Sequence, residues 1–430
     1  MALEPAPIWR AERFYDGDKP PDSRSPFQRD RDRILYSTAF RRLGGVTQVV
    51  LAGEGHLFHN RLTHSIKVAQ VARRIAERLL AEPLDREHLD PDVVEAAALA
   101  HDLGHPPFGH VAEKELDRCL IAAGLRDGFE GNPQSFRILN RLALVLEELD
   151  GLNLTRATLS AVLKYPWLRR DGERKWGSYE TERDVFEWVR TPTGLDPRER
   201  CLEAEIMDWA DDITYAVHDV EDFFRSGFIP LGTLRSVDAG SQRERVLART
   251  REKWDSQRFG AINEKELTTA IAATLDLFPL LGPYSGTRSE RAAVRNFTAT
   301  LIGQYVRATT VEGGRLAVVR SARVQVAVLK QLTWEYVIEN PGLSTQQHGQ
   351  RRIISDLFQA YSEAQERREF SIFPPRLQEE IRASAEASDA TTGSRLVADA
   401  IASMTEDQII QVHGRLMGTD FGSVTDPTLL

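Results

Sequence analysis

The chain has 430 residues, 41% hydrophobic and 28% charged, enough to bury one large core or two smaller ones. Its 64 acidic against 55 basic side chains leave a formal charge of −9, which argues against wholesale coating of nucleic acid while allowing a local basic patch. No stretch approaches the ~20 apolar residues of a membrane span, and the start lacks a basic segment leading into an apolar run, so a cytoplasmic protein with no membrane partner is expected. Two cysteines, Cys119 and Cys201, support neither a disulfide framework nor a cysteine zinc site.

Residues 1–60 read as an N-terminal arm and hairpin packing on the core. In RDRDRILYSTAFRRL, Arg29, Arg31, Arg33, Arg41 and Arg42 alternate with Asp30 and Asp32, either as a solvated helix face or as an anion-binding patch. VTQVVLA carries the main strand signal and predicts a small hairpin turning at Gly53 or Gly55. In RLTHSIKVAQVARRIAERLL, Leu62, Ile66, Ala69, Ala72 or Ile75, and Leu79 recur at helical spacing and draw one apolar face. Val93 to Ala100 is apolar nearly all round and predicts a central, buried helix. Gly104 is expected to cap it, and Pro106-Pro107 to stop it.

Residues 168–198 are polar and turn-rich, an insertion between helices rather than a domain boundary. Beyond it, Ile206, Ala210, Ile213, Val217, Val220 and Phe224 mark a helix over 203–224. Further helices are expected around 266–278, 289–308, 317–338, 350–366 and 395–416, with a loose tail at 419–430. The expected organisation is a chemical core over 61–230 and a helical C-terminal region over 231–418.

The chemistry gathers where the buried helix ends. Asp102 in its last turn faces the negative end of the helix dipole in a poorly solvated setting, so something positive should compensate it. A divalent cation shared with His101 would do so, and mixed nitrogen and oxygen ligands suit manganese, iron, nickel, zinc or magnesium. Alone, a His-Asp pair reads more simply as a local cap beside a core histidine. Its surroundings shift that balance, because His105, His110 and Glu113 follow within HDLGHPPFGHVAEKEL. His110 and Glu113 are three apart, so the carboxylate can orient the imidazole as a general acid or base; the simpler alternative is an exposed ion pair. A second acidic surface holds Asp208, Asp211, Asp212, Asp219 and Asp222, with Asp211, Tyr215 and Asp219 in one row at four-residue steps. His218-Asp219 repeats the His-Asp dipeptide in mid-helix, without the terminating glycine and prolines, and is the weaker metal candidate.

RDRDRILYSTAFRRL, TQV, NRLTHS, HDLGHPPFGHVAE, FEGNPQSFRIL, LKYPW and ADDITYAVHDVED together resemble the HD-domain deoxynucleoside triphosphate triphosphohydrolases, in order and in spacing. The resemblance implies an all-α HD-domain fold with a small β-hairpin near the N-terminus and additional C-terminal helices. It implies metal ligands at His64, His101, Asp102 and Asp211, with a divalent ion such as Mn, Mg or Fe, and catalysis by His110 with Glu113. It implies that an oxygen attacks the α-phosphorus of a dNTP, releasing deoxynucleoside and intact triphosphate. Arg61, His105 and Lys164 would meet the phosphates, Gln48 and Asp219 the 3′-hydroxyl, and Tyr215 the deoxyribose, with Asn132 and Tyr165 bordering the pocket. Gly131 stands where some relatives carry histidine, so no histidine role carries over there. The partners implied are the dNTP substrate, a dNTP activator, single-stranded nucleic acid and further copies in a homo-oligomer.

Two rival enzymes lack their marks here, since neither the acidic pair of an alarmone hydrolase nor the glycine-tyrosine-proline block of a cyclic-dinucleotide phosphodiesterase follows His101-Asp102. The rival from another class is a nucleotide or single-stranded DNA binding regulator that keeps the pocket without turnover.

Overall fold

The structure, a computed structural model, describes residues 7–16, 22–48, 59–81, 89–170, 172–256, 260–338, 341–387 and 389–423. Among them helices dominate, as the periodicity predicts, and the one sheet is a two-stranded hairpin. That hairpin pairs Thr309–Glu312 with Arg315–Val318 around Gly313-Gly314, both at positive φ. It is not the hairpin expected near the N-terminus, whose turn lies outside the described residues. There, Thr47 and Asn60 form an isolated antiparallel bridge.

Helix Pro91–Ala100 lies at the centre, with Val93, Val94, Ala96, Ala97, Ala98 and Ala100 fully buried. Its short side chains let Pro26–Tyr36, Arg61–Leu80, Arg156–Val162 and Leu202–Arg225 pack against it from several sides. All-round apolarity is the sequence signature of such a surrounded helix. Asn60 begins the Arg61–Leu80 helix by accepting from the Thr63 amide at 3.0 Å. This places His64 in the first turn, against the C-terminal end of the central helix.

The expected 231–418 region is not one packing unit. Its first part, through Val337, joins the core around the central helix. Its second part, helices Pro341–Glu366, Pro375–Glu386, Ala390–Ala402 and Glu406–Leu416, builds a separate apolar cluster with Phe108, Ala112, Leu116, Leu120 and Phe129. The single helix expected over 395–416 is therefore two, restarted at Thr405 by a reciprocal cap with Gln408. The 168–198 insertion also carries core: Trp176 and Tyr179 are buried, and helix Arg183–Arg190 buries Val185, Phe186 and Val189.

Within the arginine-rich start, Asp30, Arg31 and Arg33 are engaged with the core, while Arg41 is exposed. Asp30 is fully buried between Arg13 (2.7 Å) and Thr155, whose amide and hydroxyl donate to it at 2.8 and 2.6 Å. Arg33 donates to the carbonyls of Leu152 and Asn153, and Arg31 faces Asp92 and Glu95. These charges are internal struts between the arm and the core. Gly104 is likewise not a left-handed cap: a Cβ there would stand 2.1 Å from the Gly131 carbonyl and 2.3 Å from the Ser135 amide. It is a backbone-to-backbone contact that seats the His101 turn on helix Gly131–Arg137.

Candidate active site

His64, His101 and Asp102 are buried and offer ligand atoms that all lie within 4.8 Å of one another. His101 Nδ1 donates to the Ala98 carbonyl at 2.7 Å, so Nε2 carries the lone pair. That Nε2 is buried without a hydrogen-bond partner among the described residues. Asp211 completes the group, its Oδ1 lying 3.1 Å from His64 Nε2 and 3.7 Å from His101 Nε2. Burial disfavours a charged His64, which favours the neutral imidazole that binds metals. An orphaned imidazole nitrogen beside a second imidazole and two carboxylates fits a divalent first-row cation.

Both carboxylates are held ionised against their burial. For Asp102, the charges of Arg61, His101 and His105 outweigh desolvation and keep its carboxyl well below the usual range. Arg61 Nη1 donates to Asp102 Oδ2 at 2.7 Å, so a fixed guanidinium supplies part of the positive charge expected at this helix end. For Asp211, burial is outweighed by Lys164, which donates to its Oδ2 at 3.2 Å and also pairs with Asp208 at 2.7 Å. Asp212 points elsewhere and binds Lys330 at 2.6 Å.

A second group adjoins this one. His110 Nδ1 bonds Glu113 Oε2 at the start of helix His110–Ala122, while Glu113 Oε1 accepts from the Gly131 amide at 2.9 Å. Glu113 is buried, yet His110, His105 and Lys175 outweigh that desolvation and hold it well below its ordinary pKa. The His110 side chain is 65% exposed. His105 links the two groups, with Nδ1 3.1 Å from Asp102 and Nε2 3.6 Å from Glu113. Burial and the Arg61 charge lower the pKa of its imidazole. Gly131 has a steric reason: a Cβ there would lie 2.5 Å from Glu113 Oε1 and 3.3 Å from the His105 ring.

The Asp211, Tyr215 and Asp219 row continues away from the metal cluster along helix Leu202–Arg225. Lys330 stands 5.6 Å from the Tyr215 ring centroid. Asp219 is buried with Oδ2 unpartnered among the described residues, and desolvation with the charges of Asp222 and Asp211 raises its carboxyl well above the ordinary value. Gln48 Oε1 is likewise buried and unpartnered. Asn132 turns back onto the Glu130 carboxylate at 2.9 Å, and Tyr165 packs edge-on against Trp167. His218 does not join the metal group; its Nδ1 is 3.4 Å from Lys67 Nζ and 3.8 Å from Glu221.

Two participants escaped the sequence reading, and a third, Arg42, was read only as part of the arginine-rich start. Lys175, from the 168–198 stretch, bonds Glu130 and contributes to the field on Glu113. Glu406 accepts from the Thr47 amide (3.0 Å), the Thr47 hydroxyl (2.6 Å) and the Phe108 amide (3.2 Å), clamping the backbone beside Gln48 and ahead of His110. Arg42 donates to the carbonyls of Leu103, His105 and Met404 across the same seam. Neither Lys175 nor Glu406 belongs to a motif with chemistry of its own, and Glu406 follows the Thr405 helix cap some 300 positions from Phe108 in sequence.

Helical cradle, buried His-Asp group and adjoining His-Glu pair define an HD-type, metal-dependent phosphohydrolase. Residues 61–216 match the HD domain model and residues 316–415 the phosphohydrolase-associated domain model. The deoxyguanosinetriphosphate triphosphohydrolase-like protein of Streptomyces coelicolor is 38% identical, over 93% of this chain and 94% of its own. Its namesake in Corynebacterium efficiens is 38% identical over 90% of each, and that in Shewanella loihica 30% identical over 97% of this chain and 99% of its own. The chain belongs to this deoxyguanosinetriphosphate triphosphohydrolase-like family. A solved hypothetical protein from Aquifex aeolicus, 15% identical, covers 90% of this chain and 71% of its own at a TM-score of 0.28, too low to bear on the fold. Among the described residues no helix is long and apolar enough to cross a membrane.

Proposed function

We propose that this protein hydrolyses deoxynucleoside triphosphates, dGTP among them, to the deoxynucleoside and inorganic triphosphate, in the cytoplasm and as a homo-oligomer. The observation that carries the reading is the His110–Glu113 pair set beside the His64, His101, Asp102 and Asp211 group, with the Asp211–Tyr215–Asp219 row leading away from it.

His64, His101, Asp102 and Asp211 would hold the divalent ion, manganese, magnesium or iron. When bound, it supplies Lewis-acid polarisation of the α-phosphoryl group. Arg61 and Lys164 are already spent in part on Asp102 and Asp211, so they orient those carboxylates as well as meeting phosphate charge. Water oxygen forms the new bond to the α-phosphorus while the bond to the 5′ oxygen breaks; the triphosphate keeps the incoming oxygen. Glu113 holds the Nδ1 proton of His110, leaving Nε2 to take a proton from the water or deliver one to the 5′ oxygen. His105 donates to a phosphate oxygen. Asp219, its carboxyl pKa raised by burial, and Gln48 bind the 3′-hydroxyl, and Tyr215 closes on C2′ of the sugar. A dNTP activator and single-stranded nucleic acid are the further partners of this reading.

The test is purified protein with manganese and each dNTP, singly and in pairs. Triphosphate release that disappears in His110→Ala supports the reading, whereas pyrophosphate or phosphate as the sole inorganic product overturns it. Binding without any release favours the regulator.

A further inference from the structure

Asp211 and Asp212 follow one another on helix Leu202–Arg225, so their side chains leave it about 100° apart. Asp211 faces His64, while Asp212 faces helix Arg320–Thr333 and accepts from Lys330 Nζ at 2.6 Å. Tyr215 stands one turn further along, four residues from the first aspartate and three from the second, and is a neighbour of both. The Lys330 ammonium therefore comes to lie over it, 5.6 Å from the ring centroid and inside the range of a cation–π contact.

Lys330 has little choice of position. Trp209, Trp254 and Trp334 share with it the wall of a cavity of about 80 Å³, and Asp212 is the one carboxylate on that wall. Burial opposes the charge of the ammonium, but Asp212 and then Asp211 outweigh it and hold Lys330 above its ordinary pKa. The pair also joins the two regions that match family models, since Asp212 and Tyr215 fall within residues 61–216 and Lys330 within residues 316–415. A ring covered by a tethered cation cannot turn without losing that contact, so it makes a stiffer wall than one held by apolar contacts alone.

We propose that Lys330 is a positioning residue for sugar selection: tethered by Asp212, it holds the Tyr215 ring where a 2′-hydroxyl would have to stand. The inference rests on the reading that Tyr215 closes on C2′ of the substrate. An apolar wall rejects an added hydroxyl by only about a hundredfold, so the stiffness of that wall decides how much of the discrimination is realised. The Lys330 charge is engaged by Asp212 and the ring, and its removal should relax the sugar preference rather than weaken phosphate binding.

The test is kcat/KM for dGTP and for GTP in the full chain with manganese, taken as their ratio. Lys330→Met keeps the stem and removes the charge, and should lower the dGTP preference about 2- to 30-fold, the range of one cation–π contact. Asp212→Asn should move the ratio the same way by loosening the tether, and Lys330→Arg, whose planar cation also stacks on a ring, should restore most of it. Metal content by elemental analysis should stay at the wild-type level in all three. An unchanged ratio overturns the proposal whatever happens to the separate rates, because a phosphate contact or a general loss of fold weighs on both sugars equally. So does a wild type that takes both nucleotides alike. A second arm reads the same ratio as Kd in the His110→Ala background, where binding is measured without turnover. A dGTP preference that survives Lys330→Met there overturns the proposal and leaves the hydrolysis reading standing. Absence of triphosphate release from wild type with every dNTP overturns the hydrolysis reading, and the Kd ratio still decides the role of Lys330.

Discussion

The metal group and the His110–Glu113 pair lie within one cleft but belong to different cores. His64, His101, Asp102 and Asp211 are carried by helices packed around Pro91–Ala100, and the imidazoles of His64 and His101 are only 2% and 7% exposed. His110 opens a helix whose apolar face lies in the second cluster, and its ring is 65% exposed. One half is a closed, electrostatically balanced cage; the other is an exposed imidazole on a seam. On the proposed function, the difference teaches that metal retention and proton transfer can fail separately.

The strongest break should come at the cage. Asp211→Ala leaves Lys164 and the two imidazoles without their shared carboxylate, so metal content by elemental analysis should fall with triphosphate release, and exhaustive chelation of wild type should do the same. His110→Ala should instead keep full metal content while kcat drops ~10²–10⁴-fold. A loss of metal in that variant would mean the two halves are one unit.

Between them stands the seam. Glu406→Ala orphans the buried Thr47 and Phe108 amides, and should lower stability by about 3 kcal/mol in denaturant titrations. Metal content should hold and kcat should fall by less than in His110→Ala, with Glu406→Gln intermediate. The smallest effect belongs to the far side of the second core. Asp389 caps helix Ala390–Ala402, accepting from the Thr391 hydroxyl (2.7 Å) and the Thr392 amide (3.0 Å), and Asp389→Ala should cost about 1 kcal/mol without touching metal or turnover. Those bonds hold its carboxyl at about 2, below the ordinary 3.8. Its contribution is therefore present above about pH 4 and fades as pH falls toward 2, which acid titration of wild type against the variant checks.

The grouping of His64, His101, Asp102 and Asp211 was legible because short motifs carry it: a His-Asp at a helix end and an aspartate starting a four-residue row pointed there by their own chemistry, while His64 came from the family resemblance alone. The seam was not. Glu406 reads as an ordinary residue after a helix cap, and only the packing of the second core brings it to Thr47 and Phe108. Gly104 was misread because a glycine after a helix signals a left-handed cap as readily as a backbone contact, and the partner that decides, Gly131, lies in another motif. The Thr309–Val318 hairpin hid between two strongly periodic helices, although Gly313-Gly314 between β-branched residues is the proper signal. The division of 231–418 was hidden too, since periodicity tells which face of a helix is buried but not against which core.

The Glu406 clamp also sets an order in time. A ribosome delivers the metal ligands, the His110 helix and the whole Asp211–Tyr215–Asp219 row in the first part of synthesis. The two backbone amides that Glu406 secures must wait until nearly the last helix emerges, tens of seconds later at ~5–20 residues per second. On the proposed function, a nascent chain gathers its cation well before it holds His110 in working position, so competence arrives with the Glu406 helix rather than with the motifs that announce it.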